Sequence, residues 1–192
     1  MERQRVGLFF GSFNPIHHGH LMVAEFWLQE ANLDKVIFIV SPHNPFKPLK
    51  SLWPDTIRFE LCELAIANNP FFEVSDIEFN LNTPSYTYRT VEVLQEKYSD
   101  TDLFIIMGMD NLISFDNWKH PEIILKHCSL LVYNRNQVPC PEQHIHNPKI
   151  ILGNSPTLHL SSTHIRDCLK NNKSIRYLVP EIVRLKIIDL QL

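Results

Sequence analysis

The chain has 192 residues, of which 44% are apolar and 20% are charged, and its formal net charge is −3. This composition is typical of a folded globular protein and excludes a nucleic-acid-binding protein that depends on a broad positive field. The length is enough for one domain with a sizeable core, so we expect a single domain over residues 1–192.

No part of the sequence indicates export or a membrane span. The four cysteines form no C-x-x-C pair, so we expect reduced thiols and a cytoplasmic protein. The segment Met1–Arg5 is too polar and too short for a signal peptide, and apolar runs such as Val36–Val40 are too short to cross a bilayer. We expect neither a nucleic acid nor a membrane as partner, and the sequence leaves the oligomeric state open, a homo-oligomer included.

Short apolar runs alternate with amphipathic segments along the chain. The predicted strands are Val6–Phe10, Val36–Val40, Phe71–Val74, Leu103–Met107, Leu130–Tyr133 and Ile150–Leu152. The predicted helices are Gly19–Ala31, Thr56–Ala67, Tyr86–Tyr98, Ser161–Lys170 and Pro180–Leu190, with Asp55 and Ser161 as N-caps. The polar segments Ser41–Pro54 and Asn134–Pro148 are predicted to be surface loops. This alternation predicts an α/β fold with a parallel sheet and right-handed crossovers.

Ligands of such a sheet bind beyond the carboxyl ends of the strands, so the loops that follow the strands are the candidate sites. The five glycines of the chain form neither G-x-G-x-x-G nor G-x-x-x-x-G-K-[ST]. The usual dinucleotide fingerprint and the Walker loop are therefore excluded. Any nucleotide phosphate would have to be held by a different set of donors.

The stretch GSFNPIHHGH, Gly11–His20, follows the first predicted strand and contains three histidines. His17 and His20 are three residues apart and share one face of a helical turn, whereas His18 points elsewhere. Gly11 can turn tightly after the strand. Two imidazoles beside the positive end of a helix make a compact anion site. A histidine-rich helix start without a ligand and a zinc site are the alternatives, but two histidines are too few ligands for zinc.

A second polar stretch, LHLSSTHIRDCL, lies near the end of the chain. Ser162 and Thr163 place hydroxyls on the first turn of a predicted helix, and Arg166 lies one turn further on, within reach of the same ligand. Hydroxyls, helix-start amides and a guanidinium suit a polyphosphate. Taken alone, the segment is equally typical of a capped helix with a surface arginine.

These two stretches, GSFNPIHHGHL and SSTHIR, resemble the nucleotidyltransferase superfamily with the (H/T)-x-G-H signature. Three internal stretches, SPHNPFK, TPSYTYRTVEVL and GMDNLISFDNWKHPEIIL, are similar to the bacterial nicotinate-nucleotide adenylyltransferases. The resemblance covers most of the chain, and the motifs occur in the family's order. It implies a Rossmann-like parallel sheet of the nucleotidyltransferase type, with helices on both faces.

The sequence departs from the family pattern at several positions. Asn14 stands where the family often has aspartate, Phe46 where histidine often precedes the lysine, and Arg89 where the family has an acidic residue. Met109 replaces a small residue and Leu160 an isoleucine. None of these changes removes an expected phosphate ligand, and Phe46 and Arg89 lie in the motifs of the mononucleotide site.

The resemblance implies that ATP and nicotinate mononucleotide react to give deamido-NAD and pyrophosphate, in NAD biosynthesis. It implies that the catalytic residues are His17, His20 and Arg166. It implies an ATP site made of Gly11, Ser12, Phe13, His17, His20, Gly108, Asp110, Ser162, Thr163 and Arg166. It implies a nicotinate-mononucleotide site made of Lys47, Thr87, Tyr88 and Trp118. We expect Mg²⁺ to be carried with ATP, because the sequence offers no carboxylate cluster for a protein-held ion.

Three other functions stay open at this point. The same ATP site could serve nicotinamide mononucleotide or phosphopantetheine as acceptor, or the protein could be a nucleotide-binding regulator without turnover. A class I aminoacyl-tRNA synthetase also has an H-x-G-H-like turn, but this chain is too short for one and lacks a KMSKS-like lysine loop.

Overall fold

The computed structural model describes residues 3–42, 52–134, 138–156 and 159–192. In these ranges the strands are β1 (Gln4–Gly11), β2 (Lys35–Val40), β3 (Phe72–Ser75), β4 (Thr101–Gly108), β5 (Cys128–Tyr133) and β6 (Ile150–Gly153). The helices are α1 (His18–Glu30), α2 (Asp55–Ile66), α3 (Thr87–Lys97), α4 (Met109–Ile113), α5 (Pro121–His127), α6 (Glu142–Ile145), α7 (Ser162–Lys170) and α8 (Glu181–Asp189). Two 3₁₀ turns cover Ile77–Asn80 and Phe115–Asn117.

The strands form one parallel sheet in the order β3-β2-β1-β4-β5-β6. From β1 the chain moves outward to β3 and then returns to the other side of β1, where β4 pairs with it. The direction of strand addition therefore reverses between β1 and β4, and this is where ligands of open α/β sheets bind. The predicted parallel α/β fold is confirmed.

Helices cover both faces of the sheet, because neighbouring residues of each strand point to opposite sides. Phe9 packs in the cluster formed with α1, α2, α7 and α8, whereas Leu8 packs in the cluster formed with α3, α4 and α5. Trp27 of α1 is 1% exposed and is the largest fully buried side chain of the first cluster. The two apolar layers hold the strand ends rigidly, so the loops that leave them start from defined positions.

Each predicted strand and long helix has a counterpart in the structure, with ends that agree to within two residues. The short helices α4, α5 and α6 were missed, because five, seven and four residues are too few for a helical period to show. α6 lies inside the segment predicted to be a loop, Asn134–Pro148.

The two predicted helix N-caps have different outcomes. Ser161 caps α7, since its hydroxyl accepts a hydrogen bond from the backbone N–H of His164 at 3.1 Å. The prediction for Asp55 is wrong, because Pro54 occupies the N-cap of α2 with extended backbone angles and Asp55 is already helical. The Asp55 carboxylate still lies at the helix start and accepts from the backbone N–H of Thr56 at 2.8 Å.

None of the helices in the described ranges combines the length and the apolar character that a bilayer span requires.

Candidate active site

A cleft of about 920 Å³ opens at the carboxyl ends of β1 and β4. Its walls come from the loop between β1 and α1, the end of β2, the starts of α3 and α4, and the first turn of α7. The described residues that line it include Gly11, Ser12, Phe13, His17, His20, Thr87, Gly108, Asp110, Trp118, Ser162, Thr163 and Arg166. The cleft therefore brings together residues from Phe9 to Arg166, which lie 157 positions apart in the sequence.

Glycines end the two strands at the centre of the cleft. Phe9 of β1 is in register with Ile106 of β4, so Gly11 and Gly108 stand opposite each other two residues further on. A Cβ atom on Gly11 would lie 2.7 Å from the ring of Phe13, so glycine leaves room for that ring. The prediction that Gly11 makes the turn is wrong, because Gly11 is still in the strand and Phe13 takes the left-handed conformation with φ 42°.

The two histidines of the first motif form a stacked pair. The rings of His17 and His20 lie 3.6 Å apart with an interplanar angle of 17°. The backbone N–H of His17 donates to Nδ1 of His20 at 3.3 Å, so a neutral His20 ring carries its proton on Nε2. His17 precedes the helix as its N-cap rather than lying in the first turn. The predicted sharing of one face is confirmed, and His18 lies outside the cleft lining.

The first turn of α7 meets the β1–α1 loop across the cleft. Ser162 Oγ donates to the carbonyl of Pro15 at 2.9 Å, and Arg166 Nη1 donates to the carbonyl of Asn14 at 2.7 Å. Arg166 Nη2 also donates to Thr163 Oγ1 at 3.3 Å. These bonds connect the two end motifs and place their hydroxyls and guanidinium beside the histidine pair in one cleft.

The residues predicted for the second substrate are only partly brought together. Thr87 is the first residue of α3 and Trp118 follows the second 3₁₀ turn, and both line the cleft. The side chain of Tyr88 does not line it, since its ring packs against His120 with centroids 4.7 Å apart. Lys47 and the neighbouring departure Phe46 lie outside the described residues.

Sequence reasoning missed the buried carboxyl of Glu78, which lines the cleft and is 1% exposed. Its Oε1 accepts from Thr90 Oγ1 of α3 at 2.8 Å, and the hydroxyls of Ser41 and Ser85 also act on the carboxyl. Burial raises the pKa of Glu78 above its ordinary value, while the three hydroxyls oppose this shift. The carboxyl therefore connects the ends of β2 and β3 to α3. Its position just after a predicted strand was the available signal.

Two cations were missed as well. Arg58 of α2 is buried and donates to backbone carbonyls at the base of the cleft loops. Lys119 lines the cleft next to Trp118, with Nζ 4.8 Å from the centre of the Tyr86 ring. A charged residue aligned with the apolar positions Leu61 and Cys62 of an amphipathic helix was a signal for Arg58. Lys119 gave none, because it resembles any surface lysine.

The charge distribution of the cleft suits an anionic ligand. His17, His20, Arg166 and Lys119 supply positive charge or N–H donors, and Asp110 is the exposed carboxylate near the start of α4. Across the part of the chain that the structure describes, no group of three or more His, Cys, Asp or Glu side chains is arranged to hold a metal ion. The described residues therefore do not form a site that would hold a divalent cation by protein ligands alone.

Comparisons with known proteins identify the family of this chain. The sequence model of the "Cytidylyltransferase-like" family matches residues 8–168. A protein of Cytophaga hutchinsonii named "Probable nicotinate-nucleotide adenylyltransferase" is 46% identical over 179 residues, which are 93% of this chain and 93% of the relative. A protein of Bacteroides fragilis with the same name is 42% identical over 189 residues, covering 98% of this chain and 94% of the relative.

Solved structures show the same fold. Plasmodium falciparum nicotinic acid mononucleotide adenylyltransferase complexed with NaAD is similar with a TM-score of 0.82 and 18% identity, covering 98% of this chain and 97% of that chain. The same Plasmodium enzyme complexed with APC gives a TM-score of 0.80 at 18% identity, over 98% of this chain and 96% of that one.

Proposed function

The chain belongs to the nicotinate-nucleotide adenylyltransferases within the cytidylyltransferase-like family, and we propose that it joins ATP and nicotinate mononucleotide to give deamido-NAD and pyrophosphate, a step of NAD biosynthesis. One observation carries this proposal: the stacked histidines of the first motif and the Ser162–Thr163–Arg166 group of the last motif line one cleft at the β1/β4 switch point. That cleft offers the hydrogen-bond donors and the positive charge that the attack of one phosphate on another requires.

The reaction needs positioning and charge neutralisation rather than a protein nucleophile. An oxygen of the mononucleotide phosphate forms a bond to the α-phosphorus of ATP, and the bond from that phosphorus to the oxygen bridging to the β-phosphate breaks. Pyrophosphate leaves with the electron pair of the broken bond. Both reactants are anions, so the rate depends on donors that hold them together and stabilise the charge of the leaving group.

His17 and His20 are proposed to contact the ATP phosphates, with His20 next to the reacting phosphorus. The hydrogen bond from the His17 backbone to Nδ1 of His20 supports this role, because it leaves the proton of a neutral His20 on Nε2 as a donor. The stack of the two rings restricts the orientation of that donor. A preorganised donor costs little reorganisation when charge develops on the phosphate.

The first turn of α7 is proposed to hold the β- and γ-phosphates. Ser162 and Thr163 supply hydroxyls and helix-start N–H groups, and the nine residues of α7 give this end a positive dipole. Arg166 uses two of its N–H groups on Asn14 and Thr163, and its planar guanidinium has further donors for phosphate oxygens. Gly11, Ser12 and Phe13 are proposed to approach the phosphates through their backbone.

The remaining roles concern the two nucleosides and the divalent cation. Asp110, next to Gly108, is proposed to accept hydrogen bonds from the ATP ribose. Thr87 is proposed to bind the nicotinate carboxylate through the N–H groups that start α3, with Trp118 against the pyridine ring. Lys47 is proposed to contact the acceptor phosphate. Mg²⁺ is proposed to enter as part of Mg–ATP, because the described carboxylates do not form a site for it.

The experiment is an assay of pyrophosphate release from Mg–ATP with nicotinate mononucleotide, nicotinamide mononucleotide or phosphopantetheine offered separately. We expect release with nicotinate mononucleotide, and a reaction without acceptor is the control. Turnover only with another acceptor would change the acceptor half of the proposal, and ATP binding without turnover would make the protein a regulator. A single domain, a cytoplasmic location and a homo-oligomer stay predictions.

A further inference from the structure

Arg58 of α2 is 1% exposed and donates hydrogen bonds to four backbone carbonyls. Nη1 donates to the carbonyl of Ser12 at 2.6 Å and to that of Ser41 at 2.8 Å. Nε donates to the carbonyl of Trp53 at 2.9 Å, and Nη2 donates to that of Pro42 at 3.3 Å. One side chain therefore holds three separate segments of the chain together.

These segments border both ends of the cleft. Ser12 follows β1 in the loop that carries the proposed ATP-binding backbone, and Ser41 is the first residue after β2, next to the buried Glu78. Trp53 precedes α2, and its own backbone N–H donates to Oδ1 of Asn14 at 3.0 Å. The guanidinium thus lies where the loop after β1, the end of β2 and the start of α2 meet.

The peptide between Ser12 and Phe13 shows what this contact does for the cleft. The bond is trans, so its carbonyl and the N–H of Phe13 point in opposite directions. Holding the carbonyl toward Arg58 therefore turns the Phe13 N–H away from Arg58. Phe13 has φ 42°, a conformation that a bulky residue keeps only when its surroundings fix it. The hydrogen bond from Arg58 to the Ser12 carbonyl is one of the contacts that fix this conformation of Phe13.

A buried cation without a carboxylate partner is costly. Among the described residues Arg58 forms no ion pair, and burial lowers its pKa while the charge of Asp55 opposes that shift. The four carbonyls replace the water that the Arg58 guanidinium loses on burial, and they can do so because this planar group presents five N–H donors in a fixed fork. A lysine at this position would keep the charge, but its single ammonium nitrogen could not reach carbonyls on three sides.

We propose that Arg58 is a positioning residue: it holds the Ser12 and Ser41 carbonyls at a fixed position relative to each other and so aligns the ATP end of the cleft with the acceptor end. The alignment of two substrates rests on the proposed function, whereas the contact between Arg58 and the ATP loop does not. Misalignment should lower the rate of the bond-forming step more than it weakens the binding of either substrate alone.

The test compares Arg58→Lys with wild type by kcat, by KM for each substrate and by thermal unfolding. We expect kcat to fall by about 10²-fold, the scale of a misplacement of the reacting groups by about 1 Å, while each KM changes much less. The matched control is Arg5→Lys, since Arg5 also donates twice to a backbone carbonyl, that of Ala31, at the opposite end of β1. Arg5→Lys should lower the unfolding temperature and leave kcat unchanged.

An Arg58→Lys enzyme that is less stable but keeps the wild-type kcat would overturn the proposal and leave Arg58 with a purely structural role. A second measurement needs no variant: hydrogen exchange of the wild-type protein with and without an α,β-methylene analogue of ATP. Residues 56–59 of α2 do not line the cleft, so we expect Arg58 to transmit the contact to them and to slow the exchange of their amides when the analogue binds. Unchanged exchange there would overturn the proposal.

The two proposals fail in different ways. If wild type releases no pyrophosphate with nicotinate mononucleotide, the proposed function is wrong, and hydrogen exchange with the ATP analogue alone still decides whether Arg58 responds to the ATP loop. If wild type turns over and Arg58→Lys turns over equally fast, only the role of Arg58 is wrong.

Discussion

His20→Ala separates catalysis from packing at the centre of the cleft. The substitution removes the proposed donor next to the reacting phosphorus, and removal of one such donor costs about 10²–10³-fold in kcat. It also removes a stack on His17 at 3.6 Å and edge contacts with Phe13 and Phe9 at 5.0 and 6.0 Å between centroids. At about 0.5–1.5 kcal/mol for each of the three aromatic pairs, the free energy of unfolding should fall by about 1.5–4.5 kcal/mol.

The assay is pyrophosphate release at saturating Mg–ATP and nicotinate mononucleotide, run well below the unfolding temperature of the variant. We expect kcat to fall by ~10²-fold or more, with a smaller change in the affinity for ATP. His18→Ala is the matched control, because His18 belongs to the same motif, lies outside the cleft lining and contacts Leu178 through its backbone N–H at 3.2 Å. It should keep the wild-type kcat.

Wild-type turnover by a folded His20→Ala protein would refute the assignment of His20 to the reacting phosphorus. An equal loss of kcat in His18→Ala would show that contact with the cleft does not explain the loss in His20→Ala, since the His18 side chain does not line the cleft.

Three further predictions concern the other walls of the cleft. Arg166→Lys should raise KM for ATP although the charge is kept, because the planar fork is lost; unchanged kinetics would place Arg166 outside the phosphate site. In a side-by-side coupled assay, kcat/KM for nicotinate mononucleotide should exceed that for nicotinamide mononucleotide by ~10²-fold or more, because an amide leaves an N–H donor near Thr87 unpaired; equal rates would contradict this. Relative to wild type, Glu78→Gln should become more stable as pH rises above 4.5, the ordinary pKa of a glutamate carboxyl. Burial raises the pKa of Glu78 in the folded state, so above pH 4.5 the unfolded wild-type chain loses this proton more readily than the folded protein does, and the folded wild type loses stability. Melting curves of both proteins from acid to neutral pH measure this, and a constant difference would contradict it.

Much of the fold was predictable because its signals are local. The strands are apolar on consecutive residues since both faces are covered, and the longer helices carry a helical period. The cap at Ser161 follows from one side chain and the N–H groups three residues on. The cap at Asp55 failed for an equally local reason, because the preceding Pro54 can itself hold the N-cap backbone.

The candidate site was predictable where its residues lie in short motifs. The spacing of His17 and His20 is enough to put them on one face, and the structure stacks their rings. Glu78 and Arg58 were missed, because their local signals, a position just after a strand and an alignment with apolar helix positions, do not by themselves show that a charged side chain is buried. The structure shows both to be nearly inaccessible and bonded to segments distant in sequence.

The alternation of strands and long helices and the chemical character of the two end motifs could be predicted, since they depend on residues a few positions apart. The pairing of β4 with β1, which brings Gly108 opposite Gly11, and the hydrogen bond from Arg166 of α7 to Asn14 became known from the folded chain alone. Strand order and helix docking are set by the packing of whole apolar faces, a property of many residues at once that no single stretch of sequence contains.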